Sequence, residues 1–322
     1  MANDFADLER ETNIRVGKVL ETKQREFLNI CDPIFVGDGA EDYVERRAYG
    51  KNSWSARTPG TPPAPESMKS GKSTTSPTPY EKLRQFDKGD VHRHPEIVLD
   101  SVDDFVDGWL DDLETAWWFA LLNADTILHP LNGKAELNGG AAAYFADVFT
   151  VAPVGGGASF SQKNLFSDSL SAANLAADRE ERAVYRTLGG DRAPMPSSEA
   201  RLFAVSPIFP TAVNLTKRQA EIYDGSGLQL GGFTDLIPVR VPGGVTTSTT
   251  AWGLIWSRMR TLEGPNGAQQ TKFCPIMPVI REDFYISVGS PTDNPVVNVL
   301  GYGSYSFHYL IDGDQDFQLH KS

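Results

Sequence analysis

The sequence predicts an α+β fold. Three observations carry that prediction: a long amphipathic stretch at helical spacing over 101–122, short β-rich runs concentrated toward the C-terminal end, and no regular strand–helix–strand rhythm of the kind that builds a parallel sheet. The chain has 322 residues, of which 40% are hydrophobic and 22% charged, enough for one large core or two lobes and too apolar for bulk disorder. No internal repeat is visible.

Residues 4–29 are expected to be helical. Asp4 can cap the start, charges alternate from Glu9 to Glu26, and the apolar content is thin: Phe5, Leu8, Val16, Val19, Leu20 and Phe27. Such a helix leans on another part of the fold or another subunit, or else frays on its own body. Residues 50–79 hold Pro59, Pro62, Pro63, Pro65, Pro77 and Pro79 among Ser, Thr, Gly and Lys, and they read as an arm projecting from the body, in the form of a ragged hairpin. Residues 80–99 lead back, with 96–99 as a short strand. Over 101–122, Ser101 followed by Asp104 resembles a capping box. Val102, Phe105, Val106, Trp109, Leu110, Leu113, Ala116, Trp117 and Ala120 share one face, and Asp103, Asp104, Asp107, Asp111, Asp112 and Glu114 share the other. Trp118, Phe119 and Leu121 then fill the polar side, so the last turns are expected to be buried all round.

Beyond the helix, 144–154 reads as a strand and 169–188 as a second helix closed by Gly189 and Gly190. A strand over 201–205 ends at Pro207 and Pro210, and 211–223 makes a third helix. Strands are expected at 236–241 and 245–255, and in the tail at 284–288, 296–300, 302–310 and 317–319.

Several fragments imitate catalytic or metal motifs. Gly71-Lys72-Ser73 ends like a phosphate loop, but the glycine required five positions earlier is Glu66. His92 and His94, with Asp90 and the distant His129, have strand-like ligand spacing, and basic contact residues are the preferred reading. Asp312, Asp314 and Asp316 open like a calcium loop, yet Phe317 stands where the turn needs glycine. No nucleophile elbow, paired-cysteine zinc pattern or dinucleotide loop is visible, so neither a cofactor nor a catalytic residue is expected. Cys31 and Cys274, far apart in sequence, read as reduced thiols of a protein made in a cytosol. The acidic start is not a signal peptide, and no run reaches the ~18 apolar residues of a membrane span.

The order of parts in the second half carries a resemblance. Asn164-Leu165-Phe166-Ser167 leads into a helix, a strand ends in Ala204-Val205-Ser206-Pro207 before a short helix, and Thr250-Ala251-Trp252-Gly253-Leu254 follows later. This resembles the major capsid proteins of tailed phages, in particular the Mu-like head-subunit group, which have the Hong Kong 97-type capsid fold. The resemblance implies an N-terminal arm (1–44), an extended loop (45–98), a peripheral domain with the spine helix (99–155), an axial domain (156–265) and C-terminal strands returning to the peripheral domain (266–322). It implies a structural subunit that assembles with itself into hexamers and pentamers of an icosahedral virion head enclosing double-stranded DNA. Portal, scaffolding and decoration proteins are the implied partners, with assembly in the host cytoplasm. The arm is not preceded by a scaffolding segment, which implies a separate scaffold. A tail, connector or baseplate protein is the alternative, and a metal enzyme using His92 and His94 a more distant one.

Charge is unevenly distributed. The net charge is −12, which repels nucleic acid and suits a wall that encloses DNA without adhering to it. Residues 46–93 nevertheless hold ten basic and four acidic side chains, a net of +6, which leaves −18 elsewhere. Arg57, Lys69, Lys72, Lys82 and Arg84 on the loop, and Asp104, Asp107 and Asp111 on the spine helix, are therefore the expected subunit-interface residues, the loop of one subunit lying over the acidic helix of its neighbour.

Overall fold

A helix spanning Glu96–Leu122 (α3) runs through the molecule, five residues longer at its start than the sequence pattern suggests. In the computed structural model the described residues are 2–23, 25–36, 40–49, 68–131, 137, 143–153, 158–193, 200–217, 233, 235–264, 267–289 and 295–321. Residues 96–99 are thus helical and not a strand. Pro95 sets the start, where a missing N–H costs nothing, and Val98 extends the buried stripe of Val102, Phe105, Val106, Trp109, Leu110, Leu113 and Trp117 by one turn. Ser101 lies inside the helix, where its Oγ donates to the Val98 carbonyl at 2.7 Å, so it caps nothing. At the far end Trp118 and Leu121 are buried, but Phe119 is 57% exposed, so the last turns keep an open side.

The buried stripe lies on a sheet of four strands in the order β1-β13-β14-β4: Ile34–Phe35 (β1), Ile276–Gly289 (β13), Val296–Tyr309 (β14) and Thr78–Asp87 (β4). The short runs expected in the tail are largely two long antiparallel strands, β13 and β14, with register shifts in β13 between Ile280 and Tyr285. Gly301 and Gly303 on β14 let the helix approach closely. A Cβ at Gly301 would stand 2.9 Å from the Phe105 ring, and one at Gly303 would stand 2.7 Å from Trp109. Trp109 then stacks on Phe284, and the Trp117 indole N–H donates to the Ile276 carbonyl at 2.9 Å.

The N-terminal helix (α1, Ala2–Thr22) packs on α3 and β13 of its own chain. It stops short of the expected residue 29, and a single 3-10 turn at Glu26–Asn29 follows. Tyr43–Tyr49 (β2) and Lys69–Thr75 (β3) form an antiparallel hairpin, whose connection, with most of the prolines, lies outside the described residues. A short helix, Lys88–Arg93 (α2), joins β4 to α3. It is capped by Asp87, which accepts from the backbone N–H groups of Gly89 and Asp90.

A second sheet has the order β7-β15-β10-β8-β9: Leu165–Phe166 (β7), Phe317–His320 (β15), Trp252–Trp256 (β10), Ala200–Ala204 (β8) and Leu236–Arg240 (β9). Two helices accompany it, Ala172–Val184 (α4), capped by Ser171, and Phe209–Thr216 (α5). The strand expected over 245–255 is confined to β10, and that over 144–154 to Phe149–Val151 (β5), which pairs with Phe160–Gln162 (β6). Arg258–Gly264 (β11) and Gly267–Phe273 (β12) form a hairpin not foreseen in the sequence. Of the segment 266–322, β13 and β14 lie under α3, whereas β15 belongs to this second sheet. A buried ionic knot ties β15 in place: Asp316 accepts from Arg182 of α4 at 2.8 Å and from Arg258 at 2.6 Å.

Candidate functional site

The residues expected to meet across subunits fall into two groups, the β2–β3 hairpin with β4, and the acidic face of α3. Alternation along β2 and β3 gives the hairpin two unlike faces. On the inner face Glu45 is buried. Its Oε2 accepts from the Ile311 N–H at 3.0 Å and lies 3.0 Å from His308 Nε2, and its Oε1 accepts from Arg47 Nε at 3.2 Å. Arg47 also donates to Asp312 at 2.9 Å, and the Thr75 hydroxyl lies 2.8 Å from His308 Nδ1. Tyr43 meets the His308 ring edge-on, and burial first of all, then the Glu45 charge, pushes its phenol up to about 12. The polar inner face thus fastens the base of the hairpin to the end of β14. No motif in the sequence pointed to Glu45 or His308.

The outer face is the reverse. Val44, Arg46 and Ala48 stand opposite Thr74, Lys72 and Ser70, and all six are exposed. Arg46 and Lys72 are direct cross-strand partners of like charge, an arrangement that costs stability and favours an external anion. Lys69 is also exposed, and Arg57 lies outside the described residues.

Lys82 and Arg84 sit on β4, over the spine helix of their own chain. Arg84 donates to Asp104 at 3.2 Å with its guanidinium over the Phe105 ring, and the Lys82 amine lies against Gly108. The other two helix carboxylates meet the segment after α1: Asp107 pairs with Lys23 and, at 3.4 Å, with Arg25, and Asp111 pairs with Arg25 at 2.8 Å. Asp104, Asp107 and Asp111 therefore have cationic partners within one chain. The Asp104 and Asp111 side chains still keep 69% and 61% of their surface exposed, so each has acceptor capacity left.

The motifs that imitate chemistry are used structurally. Gly71-Lys72-Ser73 lies within β3, Asp312 serves Arg47, and Asp316 serves Arg182 and Arg258. His94 Nδ1 lies 3.0 Å from Glu96, and His92 lies against Phe5. Among the described residues no group of three or more His, Cys, Asp and Glu side chains is placed to hold a metal ion, and no helix is long and apolar enough to cross a membrane. Cys31 and Cys274 are both free and buried with their side chains in contact, and burial above all raises the Cys31 thiol well above its usual range.

No family model matches the chain, and no curated protein matches it. Solved structures do. The mature capsid of bacteriophage PhiM1 superposes over 93% of this chain and 87% of its own, with a TM-score of 0.54 and 16% identity. The capsid of cyanophage P-SCSP1u superposes over 93% and 88%, with a TM-score of 0.51 and 9% identity. The likeness is one of fold and does not extend to the Mu-like group in particular. The chain thus shares the fold of these phage capsid proteins, with a long helix on a four-stranded sheet, a hairpin, and a second sheet with its own helices.

Proposed function

We propose that the chain is the major capsid subunit of a tailed-phage head, a structural protein and not an enzyme. The observation that carries this reading is the superposition on the mature PhiM1 capsid over nearly the whole length of both chains. Copies assemble with themselves into hexamers and pentamers of an icosahedral shell, within the host cytoplasm and with scaffolding, portal and decoration proteins as partners. The shell encloses genomic DNA without reading its sequence, and the net charge of −12 keeps the wall from adhering to it. Shell geometry repeats each contact many times, so modest interfaces sum to a stable particle.

The extended loop of one subunit lies on the acidic helix of the next. The supporting features are the outward-facing Arg46 and Lys72 and the remaining acceptor capacity of Asp104 and Asp111. Lys69 and Arg57 belong to the same loop, while Lys82 and Arg84 steady its base. Opposite charge steers this docking and sets its register more than it adds affinity.

Negative-stain microscopy of the purified full-length protein, with and without a co-expressed scaffold, tests the reading. Closed particles of uniform diameter are the expected result. Rings or tubes that never close would assign the chain to a tail, connector or baseplate.

A further inference from the structure

The outer edge of β13, the one turned away from β14, is covered in two ways. At Val279 and Ile280 the cover is a strand: β1 runs parallel to it, and the Val36 N–H donates to the Ile280 carbonyl at 2.8 Å. Beyond the register shifts, no strand among the described residues continues along this edge. There α1 takes over with side chains. Asn13 Nδ2 donates to the Ile286 carbonyl at 2.7 Å, the Ile286 N–H donates to Asn13 Oδ1 at 2.9 Å, and the Val288 N–H donates to Glu9 Oε2 at 3.1 Å.

The spacing explains the match. Helical residues four apart are separated by a rise of ~6 Å, and alternate strand residues by ~6.6 Å. Glu9 and Asn13 can therefore serve two successive outward-facing positions of β13. The Asn13 amide offers one donor and one acceptor to the same residue, as the backbone of an added strand would.

The apolar hold of α1 is narrow: Leu8, Thr12 and Val16 are buried along it, Phe5, Val19 and Leu20 are partly buried against the core, and Gly17 has nothing against it. Arg15 ties α1 to Asp100 and Asp103 of α3 through part-exposed ion pairs at 3.5 and 3.4 Å, which salt screens.

We propose that α1 is a removable guard over the sheet edge, and that on its release the edge at 286–288 takes an extended segment of a second copy of this chain by strand addition. The edge offers alternating backbone donors and acceptors, which an extended chain matches in full. Nearer the start of β13, β1 already pairs along this edge at Val279 and Ile280. The identity of the partner as a second copy rests on the shell-subunit reading, which sets many copies side by side.

The test uses full-length Glu9→Ala/Asn13→Ala and, separately, Arg15→Glu, which loosens α1 without touching the edge bonds. Hydrogen exchange of the peptide covering 284–289 is measured together with sedimentation velocity at increasing protein concentration. Both variants are expected to exchange at Ile286 and Val288 about tenfold faster or more, and to self-associate at concentrations several-fold lower than wild type. Raising salt should speed exchange at Ile286 and Val288 of wild type, because it screens the Arg15 pairs. Unchanged exchange in a folded double variant would overturn the guard. Faster exchange without stronger self-association in either variant would overturn strand addition by a second copy, as would capture of an added unrelated strand peptide by variants that remain monomeric. If the double variant does not fold, Arg15→Glu decides on the same two readouts. Wild type that never closes into particles, beside variants that associate through 286–288, would refute the shell reading and leave this inference standing.

Discussion

The spine region and the basal hairpin are neighbours joined by β4, yet they are held by opposite means. Under α3 the contacts are aromatic and aliphatic: Phe105 and Trp109 settle over Gly301 and Gly303, Trp117 and Trp118 are buried, and the few polar groups there serve the apolar packing. Under the hairpin the contact is a chain of hydrogen bonds, Asp312 to Arg47 to Glu45 to His308 to Thr75, with Tyr43 edge-on to the His308 ring. Apolar packing is non-directional and sums over area, so it suits an element that must not move. A polar network is directional and fails as a unit when one member is lost, so it suits an element that must be aimed and can be released. The contrast predicts that the hairpin opens at a lower threshold than the spine region.

The strongest attempt to break that contrast is Trp117→Ala. Emptying this site in the core should remove ~3–5 kcal/mol of stability and shift the whole urea unfolding curve of the monomer. A loss below ~1 kcal/mol would mean that the spine is less tightly packed than its burial indicates. Glu45→Ala is the counterpart on the hairpin. It leaves His308, Arg47 and the Ile311 N–H short of a partner, at ~1–3 kcal/mol, but the cost should be local. Limited proteolysis within 43–75 should accelerate while the main unfolding transition moves little. Equal loss from both would merge the two regions into one cooperative unit.

A smaller effect per residue is expected on the surface. Reversing Asp104, Asp107 and Asp111 to Lys breaks exposed pairs worth ~0–1 kcal/mol each, so the monomer should remain folded. Assembly of the triple variant should fail, and assembly of wild type should weaken with salt. Normal assembly with unchanged salt dependence would remove the loop-on-helix contact and leave those acids with only their partners within the chain. The smallest expected change concerns Cys31 and Cys274. Both thiols are buried, and burial raises the Cys31 thiol, so a thiol reagent should titrate neither in the native protein and both after unfolding. Fast reaction in the native state would show the seam between the 3-10 turn and β12 to be open.

What was legible in the sequence was local. The apolar stripe of α3 recurs at 3.6 residues and needs no partner to be read, and the same holds for the runs that became β8, β9, β10 and β14. The outward cations of the hairpin and the acids of α3 are visible as composition alone. Errors arose where short-range signals compete: the β-branched run at 96–99 looks like a strand until Pro95 is recognised as a helix start, and the Thr-rich run at 245–251 forms turns ahead of β10. Phe119 belongs to an apolar run and still faces outward, because nothing in the described fold covers that side of the last turns.

The tertiary structure decided everything that depends on residues far apart in the chain. Glu45 meets His308, Asp316 meets Arg182 and Arg258, Cys31 meets Cys274, and Asn13 meets Ile286 only because the fold returns the chain to those places. No periodicity encodes such pairs, since a buried polar group can be satisfied by any partner the topology delivers. The sequence alone determined which segments are apolar on one face, and hence the elements and the class of fold. Which edge of the sheet is open, which charges are already neutralised within one chain, and which remain for a neighbour depend on long-range packing, whose loop-closure cost and reward are absent from any local window.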